Sequence, residues 1–122
     1  MTRKLALILL LVPVALLASV HTVKRVAIVA NPKVYDGRCP ATLNFTATIF
    51  VNHPSFVEYR WERSDGARGP KQRIDIRSAG QGVTDTWTLG SGRQRMVVWE
   101  RLHVLAPTGI SSPEARVRVS CR

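Results

Sequence analysis

Two cysteines, Cys39 and Cys121, bracket nearly all of the foldable part of this 122-residue chain and follow an apolar N-terminal run. In an exported chain with an even cysteine count, such a pair is expected to close as a disulfide rather than persist as two buried thiols. A link across so long a segment restricts the unfolded chain and contributes about 4 to 5 kcal/mol in the chain-entropy description. For a domain of roughly 100 residues that is a large share of the typical total of about 5 to 15 kcal/mol.

The expectation of export rests on the first residues. Arg3 and Lys4 precede an apolar run from Leu5 to Leu17 broken only by Pro13, the layout of a secretory signal peptide. Extended to Val20, the run is still shorter than the ~20 residues needed to span a bilayer, and an uncleaved membrane anchor is the alternative. Small residues at Ala15, Ala18 and Ser19 place the cut between Ala18 and Thr22. Val20 follows Leu17-Ala18-Ser19 where a lipoprotein would have cysteine, so lipid attachment there is chemically excluded. The predicted organisation is a signal segment over 1–20, an N-terminal strand and lead-in over 21–38, and one domain over 39–122. The protein is expected to be secreted or periplasmic.

Between the cysteines the chain alternates apolar and polar residues with period two, the mark of half-buried strands. Leu43, Phe45, Ala47, Ile49 and Val51 share one face, and Thr42, Asn44, Thr46 and Thr48 the other. Cys39 is in phase with the first set. Ala115, Val117, Val119 and Cys121 likewise point inward, with Arg116, Arg118 and Ser120 outward. Four further runs contain Val57-Tyr59-Trp61, Ile74-Ile76, Val83-Trp87-Leu89 and Val98-Leu102-Val104, and Val23 to Ala30 adds an outer strand. Gly, Pro, Asp and Ser separate them, including Ser64-Asp65-Gly66-Ala67 and a Gly90-Ser91-Gly92 hairpin turn. No segment has a useful helical period. The pattern predicts an all-β, immunoglobulin-like antiparallel sandwich of about 7 strands behind the signal segment.

An ordered series of short motifs strengthens that reading. Cys39-Pro40, Tyr59-Arg60-Trp61-Glu62-Arg63-Ser64-Asp65-Gly66-Ala67, Thr86-Trp87-Thr88-Leu89, Trp99 to Val104 with Pro107, and Val119-Ser120-Cys121 resemble small secreted bacterial immunoglobulin-like modules. The resemblance spans residues 39 to 121 and implies an extracytoplasmic sandwich with no assigned activity.

Catalytic and metal chemistry find little support. His21, His53 and His103 are far apart, and the cysteines are better used in the bridge, so the ligand spacing of a zinc site is missing. No Gly-x-Ser-x-Gly elbow or phosphate-cradling loop occurs. Glu58 and Glu62 flank Arg60 on an outward face, as a solvated ladder. Asp85 has the parity of Val83 and Trp87 and reads as an edge charge that blunts aggregation. No catalytic residue, metal site or cofactor is predicted.

Charge is the clearest functional hint. The full chain carries +10, and +8 remains once Arg3 and Lys4 are removed. Arg73, Arg93, Arg95 and Arg116 are candidate contacts for a polyanion such as lipopolysaccharide, an acidic polysaccharide or extracellular DNA. The same arginines are equally compatible with adventitious charge. Phe56 and Trp99 fall out of phase with their strands' core sets and are candidate anchors for an envelope or extracellular protein, while end-capping of the sandwich is the plainer alternative. The loops around His53, Asp65 to Gly69 and Ser91 to Arg95 are the candidate regions. The expected function is a non-catalytic binding module of the cell envelope. A structural accessory domain and a small secreted enzyme inhibitor are the alternatives.

Overall fold

The computed structural model describes residue 6, residues 8–11 and residues 22–122. Most of the expected signal segment, its cleavage region and His21 lie outside the described residues. Nine strands occur among them: β1 Val23–Asn31, β2 Val34–Gly37, β3 Ala41–Val51, β4 Ser55–Arg63, β5 Gln72–Ile76, β6 Gly80–Leu89, β7 Arg95–Ala106, β8 Ile110–Ser111 and β9 Ala115–Cys121. They form two sheets, one ordered β1-β3-β6 and the other β2-β9-β7-β4-β5, with β8 added alongside β7. The immunoglobulin-like all-β architecture read from the sequence is the architecture observed.

Two strands exceed the expected seven, and both are too short for a periodicity reading. β2 pairs in parallel with β9, from Val34↔Arg118 to Gly37↔Cys121, whereas β1 pairs antiparallel with β3. The chain therefore changes sheets between Asn31 and Val34, where Pro32 can donate no ladder hydrogen bond. β8 is a two-residue partner of His103 and Val104.

The core follows the alternation. Leu43, Phe45, Ala47 and Ile49 of β3 face Val57 of β4, Leu102 and Val104 of β7, and Val117 and Val119 of β9, all fully buried. Burying each large apolar side chain contributes about 1.5 to 3 kcal/mol before entropy is counted. Trp61 and Trp87 close the layer from opposite sheets.

The disulfide is present. Cys39, in the β2–β3 connection, joins Cys121 at the end of β9 across a sequence separation of 82 with Cα atoms 5.3 Å apart. It thereby ties the entrance of one sheet to the exit of the other. Gly90 turns beside it, and this turn is not a hairpin: it carries the chain from β6 in the first sheet to β7 in the second. A turn that links strands of different sheets cannot be told from a hairpin by its Gly-Ser-Gly composition.

Candidate functional site

The outer faces of the two sheets differ in chemistry. On the β1-β3-β6 sheet, Thr42 lies opposite Thr88, Asn44 opposite Thr86 and Thr46 opposite Thr84. Thr86 Oγ1 donates to Asn44 Oδ1 at 3.0 Å, and the Thr42 and Thr88 hydroxyls are 3.3 Å apart. This ladder is polar and uncharged, with Arg25 at its end lying over the Phe50 ring at 4.1 Å.

The other sheet gathers cations. Directly opposed residues share a face, and the registers Arg60↔His103, Glu62↔Arg101, Trp99↔Arg116, Val97↔Arg118 and Glu58↔Arg73 set these side chains side by side. Among the sequence candidates, Arg73, Arg95 and Arg116 lie on this face, while Arg93 stands in the β6–β7 connection next to it. Arg116 is held by Glu114 at 2.7 Å. Arg60, Arg73, Arg95 and Arg118 make no salt bridge among the described residues, although Glu58 stands opposite Arg73 in the register. Arg60 and Arg118 carry the same outward parity as the chosen arginines and share with Arg73 and Arg95 the lack of a salt bridge, which Arg116 does not.

Both candidate aromatics belong to this face as well. Phe56 is 55% exposed and has the Arg73 guanidinium 4.3 Å from its ring centroid. Trp99 is half-buried and keeps the regular outward phase, without the bulge that would have turned it inward. Its backbone is fixed to Ser64, whose N–H donates to the Trp99 carbonyl at 2.9 Å and whose Oγ accepts from the Trp99 N–H at 3.1 Å. Arg101 lies 5.4 Å from the indole centroid. The ring faces are thus engaged by arginines, a contact worth about 0.5 to 1 kcal/mol at exposed sites.

Glu62 organises the middle of the face. It lies 3.2 Å from Arg101, 3.6 Å from Arg68 and 4.0 Å from the His103 ring, and His103 Nδ1 is 2.6 Å from Ser111 Oγ. With Arg60 and Lys71 these groups line a shallow cleft of about 420 Å³, in which one carboxylate is outnumbered by four arginine and lysine side chains.

A second polar feature lies inside the sandwich. Glu100 shares the inward phase of Val98 and Leu102 and is 0% exposed, with neither carboxyl oxygen receiving a hydrogen bond. Asp85 approaches it from the facing sheet. Burial, and then the neighbouring Asp85 carboxyl, push the Glu100 carboxyl up to about 9. β6 is an edge strand, as an aggregation-blunting charge requires, but Asp85 projects into the interior half-buried instead of fending off solvent-side partners. Glu100 escaped the sequence reading because its neighbours Trp99 and Arg101 are the residues that draw notice. The available signal was its parity with Val98, Leu102 and Val104.

The Asp65 to Gly69 segment, a candidate loop, borders this acid pair. Asp65 accepts from the Ala67 N–H at 2.9 Å and pairs with Arg63 at 2.9 Å, and the amide and guanidinium hold its carboxyl below the usual range. Gly66 takes φ +87°, a conformation that favours glycine. Arg63 also lies over the Trp87 ring at 4.5 Å.

No protein-family model matches the sequence, and no curated protein matches it. Among solved structures, the CARDB domain of a Pyrococcus furiosus protein, determined in complex with di-metal ions, superposes with a TM-score of 0.59. The two sequences are 11% identical over 85% of this chain and 100% of that domain. The likeness is one of fold. The disulfide fits an oxidising, extracellular or periplasmic setting. Among the described residues no helix is long and apolar enough to cross a membrane.

Proposed function

We propose that this protein is an exported, non-catalytic binding module that holds an anionic polymer against the outer face of its β2-β9-β7-β4-β5 sheet. The observation that carries this reading is the concentration of arginines: Arg60, Arg73, Arg95 and Arg118, none in a salt bridge among the described residues, line one sheet face, whereas the opposite face is a threonine and asparagine ladder with Lys24 and Arg25 on its β1 edge. Arginine is suited to paired contacts with phosphate, sulfate and carboxylate groups. A polymer bearing such groups at short intervals, such as lipopolysaccharide, an acidic polysaccharide or extracellular DNA, would bridge several rows of the sheet. The aromatic rings favour the same ligand over a protein docking on bare apolar surface, because Phe56 and Trp99 already have arginines at their faces.

The test is retention of the oxidised protein on immobilised heparin and lipopolysaccharide across a salt gradient. Arg95→Gln with Arg118→Gln is compared with Lys24→Gln with Arg25→Gln, which removes equal charge from the other side. The face variant is expected to elute at much lower salt and to lose roughly 0.7 to 0.9 of logarithmic salt slope per phosphate contact removed. Equal behaviour of the two variants would reduce the interaction to net charge. Salt-insensitive capture of a defined protein, lost in Phe56→Ala or Trp99→Ala, would replace the polymer by a protein partner.

A further inference from the structure

The cleft around Glu62 is assembled from two adjacent rows of the sheet. In one row Arg60 of β4 stands opposite His103 of β7, which in turn stands opposite Ser111 of β8. In the next, Glu62 stands opposite Arg101, and the β4–β5 connection brings Arg68 and Lys71 to the same cleft. Glu62 is the one carboxylate in the lining, and Arg68, Arg101 and the His103 ring share it. Glu58, two residues from Arg60 along β4, stands opposite Arg73 and does not line the cleft. Arg60 and Lys71 make no salt bridge among the described residues, and the Arg60 Nε is buried without a hydrogen-bond acceptor. A buried donor without an acceptor is costly, so the cleft is short of acceptors. The His103–Ser111 contact at 2.6 Å adds one more donor. If the serine hydroxyl donates to Nδ1, the Nε2–H is left over; if Nδ1–H donates, the hydroxyl hydrogen is.

We propose that this cleft is a discrete binding site for a phosphate monoester group, whether borne by an envelope glycolipid or by a free sugar phosphate. The proposal rests on the reading of this sheet face as an anion-binding surface and names the chemical group that the face selects. A phosphate monoester carries a charge of about −1.5 to −2 near neutral pH and three strong acceptor oxygens. The cleft offers the planar fork of Arg60, the ammonium of Lys71 and the donor left over at His103 and Ser111. Arg68 and Arg101, which share Glu62, add positive potential around them. The single negative charge of a sulfate monoester or a phosphodiester gains less from the same cations. Leu105 gives the cleft an apolar wall for the ester substituent. Two charge-assisted hydrogen bonds of ordinary strength correspond to a dissociation constant of roughly 1 mM.

The test titrates the oxidised full chain with glucose 6-phosphate, glucose 6-sulfate and dimethyl phosphate at fixed ionic strength and mildly alkaline pH, following arginine Nε–H and backbone amide resonances by NMR. Glucose 6-phosphate is expected to saturate one site at roughly 1 mM and to move the Arg60 Nε–H resonance, with the two singly charged probes at least about fivefold weaker. Arg60→Gln and Lys71→Gln are each expected to weaken binding at least about fivefold, because each removes a charged donor. Lys24→Gln with Arg25→Gln, in β1 of the other sheet, is expected to bind as the parent does. Lipopolysaccharide retention before and after phosphatase treatment separates the sources: a fall places the group on the polymer, and no fall, with glucose 6-phosphate still bound, places it on a soluble sugar phosphate. Either upholds the cleft. The proposal is overturned by absence of saturable binding below about 10 mM, by equal affinity for the three probes, or by binding unchanged in both cleft variants. Should Arg60→Gln fail to fold, Lys71→Gln, at an exposed position, still decides. No sugar phosphate binding, with heparin retention still dependent on Arg95 and Arg118, would sink the cleft alone. Sugar phosphate binding, with heparin retention that follows net charge only, would sink the polymer reading and leave the cleft.

Discussion

Gly90 approaches Cys121 so closely that a β-carbon on the glycine would stand 2.8 Å from the Cys121 sulfur and 3.0 Å from that of Cys39. Its φ of +93° disfavours any L side chain as well. The residue is thus constrained twice, by its own backbone and by the bridge it passes. Gly90→Ala is expected to destabilise the oxidised protein by about 1 to 3 kcal/mol, read from urea unfolding midpoints. In a Cys39→Ala, Cys121→Ala background the steric part vanishes and the penalty shrinks to the backbone part. The same penalty in both backgrounds would show that the sulfurs are not responsible.

The bridge itself is the next expectation. A closed segment with a sequence separation of 82 corresponds to about 4 to 5 kcal/mol of unfolded-state restriction. Reduction under native conditions is expected to lower the urea midpoint sharply without changing the strand content seen by circular dichroism at low denaturant. If reduced and oxidised forms unfold at the same urea concentration, the stabilisation lies in the packed sheets alone.

Ser112 is a small residue with a structural task. It is buried, its Oγ accepts from the Leu102 N–H at 2.9 Å and donates to the Pro113 carbonyl at 2.8 Å, and the Ser112 N–H donates to the Leu102 carbonyl at 2.9 Å. The side chain thus extends the β7 ladder where β8 ends. Ser112→Ala leaves the Leu102 amide without its acceptor and is expected to cost about 1 to 3 kcal/mol. Ser111→Ala, at a more exposed position against His103, is expected to cost less. A smaller loss for Ser112→Ala than for Ser111→Ala would contradict this assignment.

How much of this was legible in the sequence follows from what kind of information each feature needs. The period-two runs of β3 and β9 disclose their buried faces residue by residue, because side-chain direction in a strand is a local property. The cysteine pair was readable for the same reason: both lie in phase with the core, and the exported setting does the rest. Sheet membership is not local. Gly90-Ser91-Gly92 has the composition of a hairpin whichever sheet receives the next strand, and β2 is too short and polar to announce itself. The arginine face is intermediate, since parity shows that Arg60, Arg73 and Arg118 point outward but not that they share a sheet or lack acidic partners. Glu100 is the instructive case. Its inward phase was available from Val98 and Leu102, whereas its meeting with Asp85 arises only when β6 and β7, in different sheets, are laid face to face.

That meeting has a pH signature, and its sign is fixed by the direction of the shift. Glu100 is pushed up to about 9 in the folded protein by burial and by Asp85, with Arg63 opposing and Asp65 reinforcing the rise. In the unfolded chain it returns to the ordinary carboxylate value near 4.5. Between those two values the native state keeps a proton that the unfolded state releases, so stability is full below about pH 4.5 and declines as pH rises towards about 9. The slope for one such group is at most about 1.4 kcal/mol per pH unit. Glutamine has no proton to lose. Glu100→Gln is therefore expected to flatten the decline and to be more stable than the parent at pH 8 to 9, measured as urea midpoints at several pH values. A parent protein whose stability rises across that window, or a variant that keeps the parent's slope, would show that Glu100 does not hold the proton.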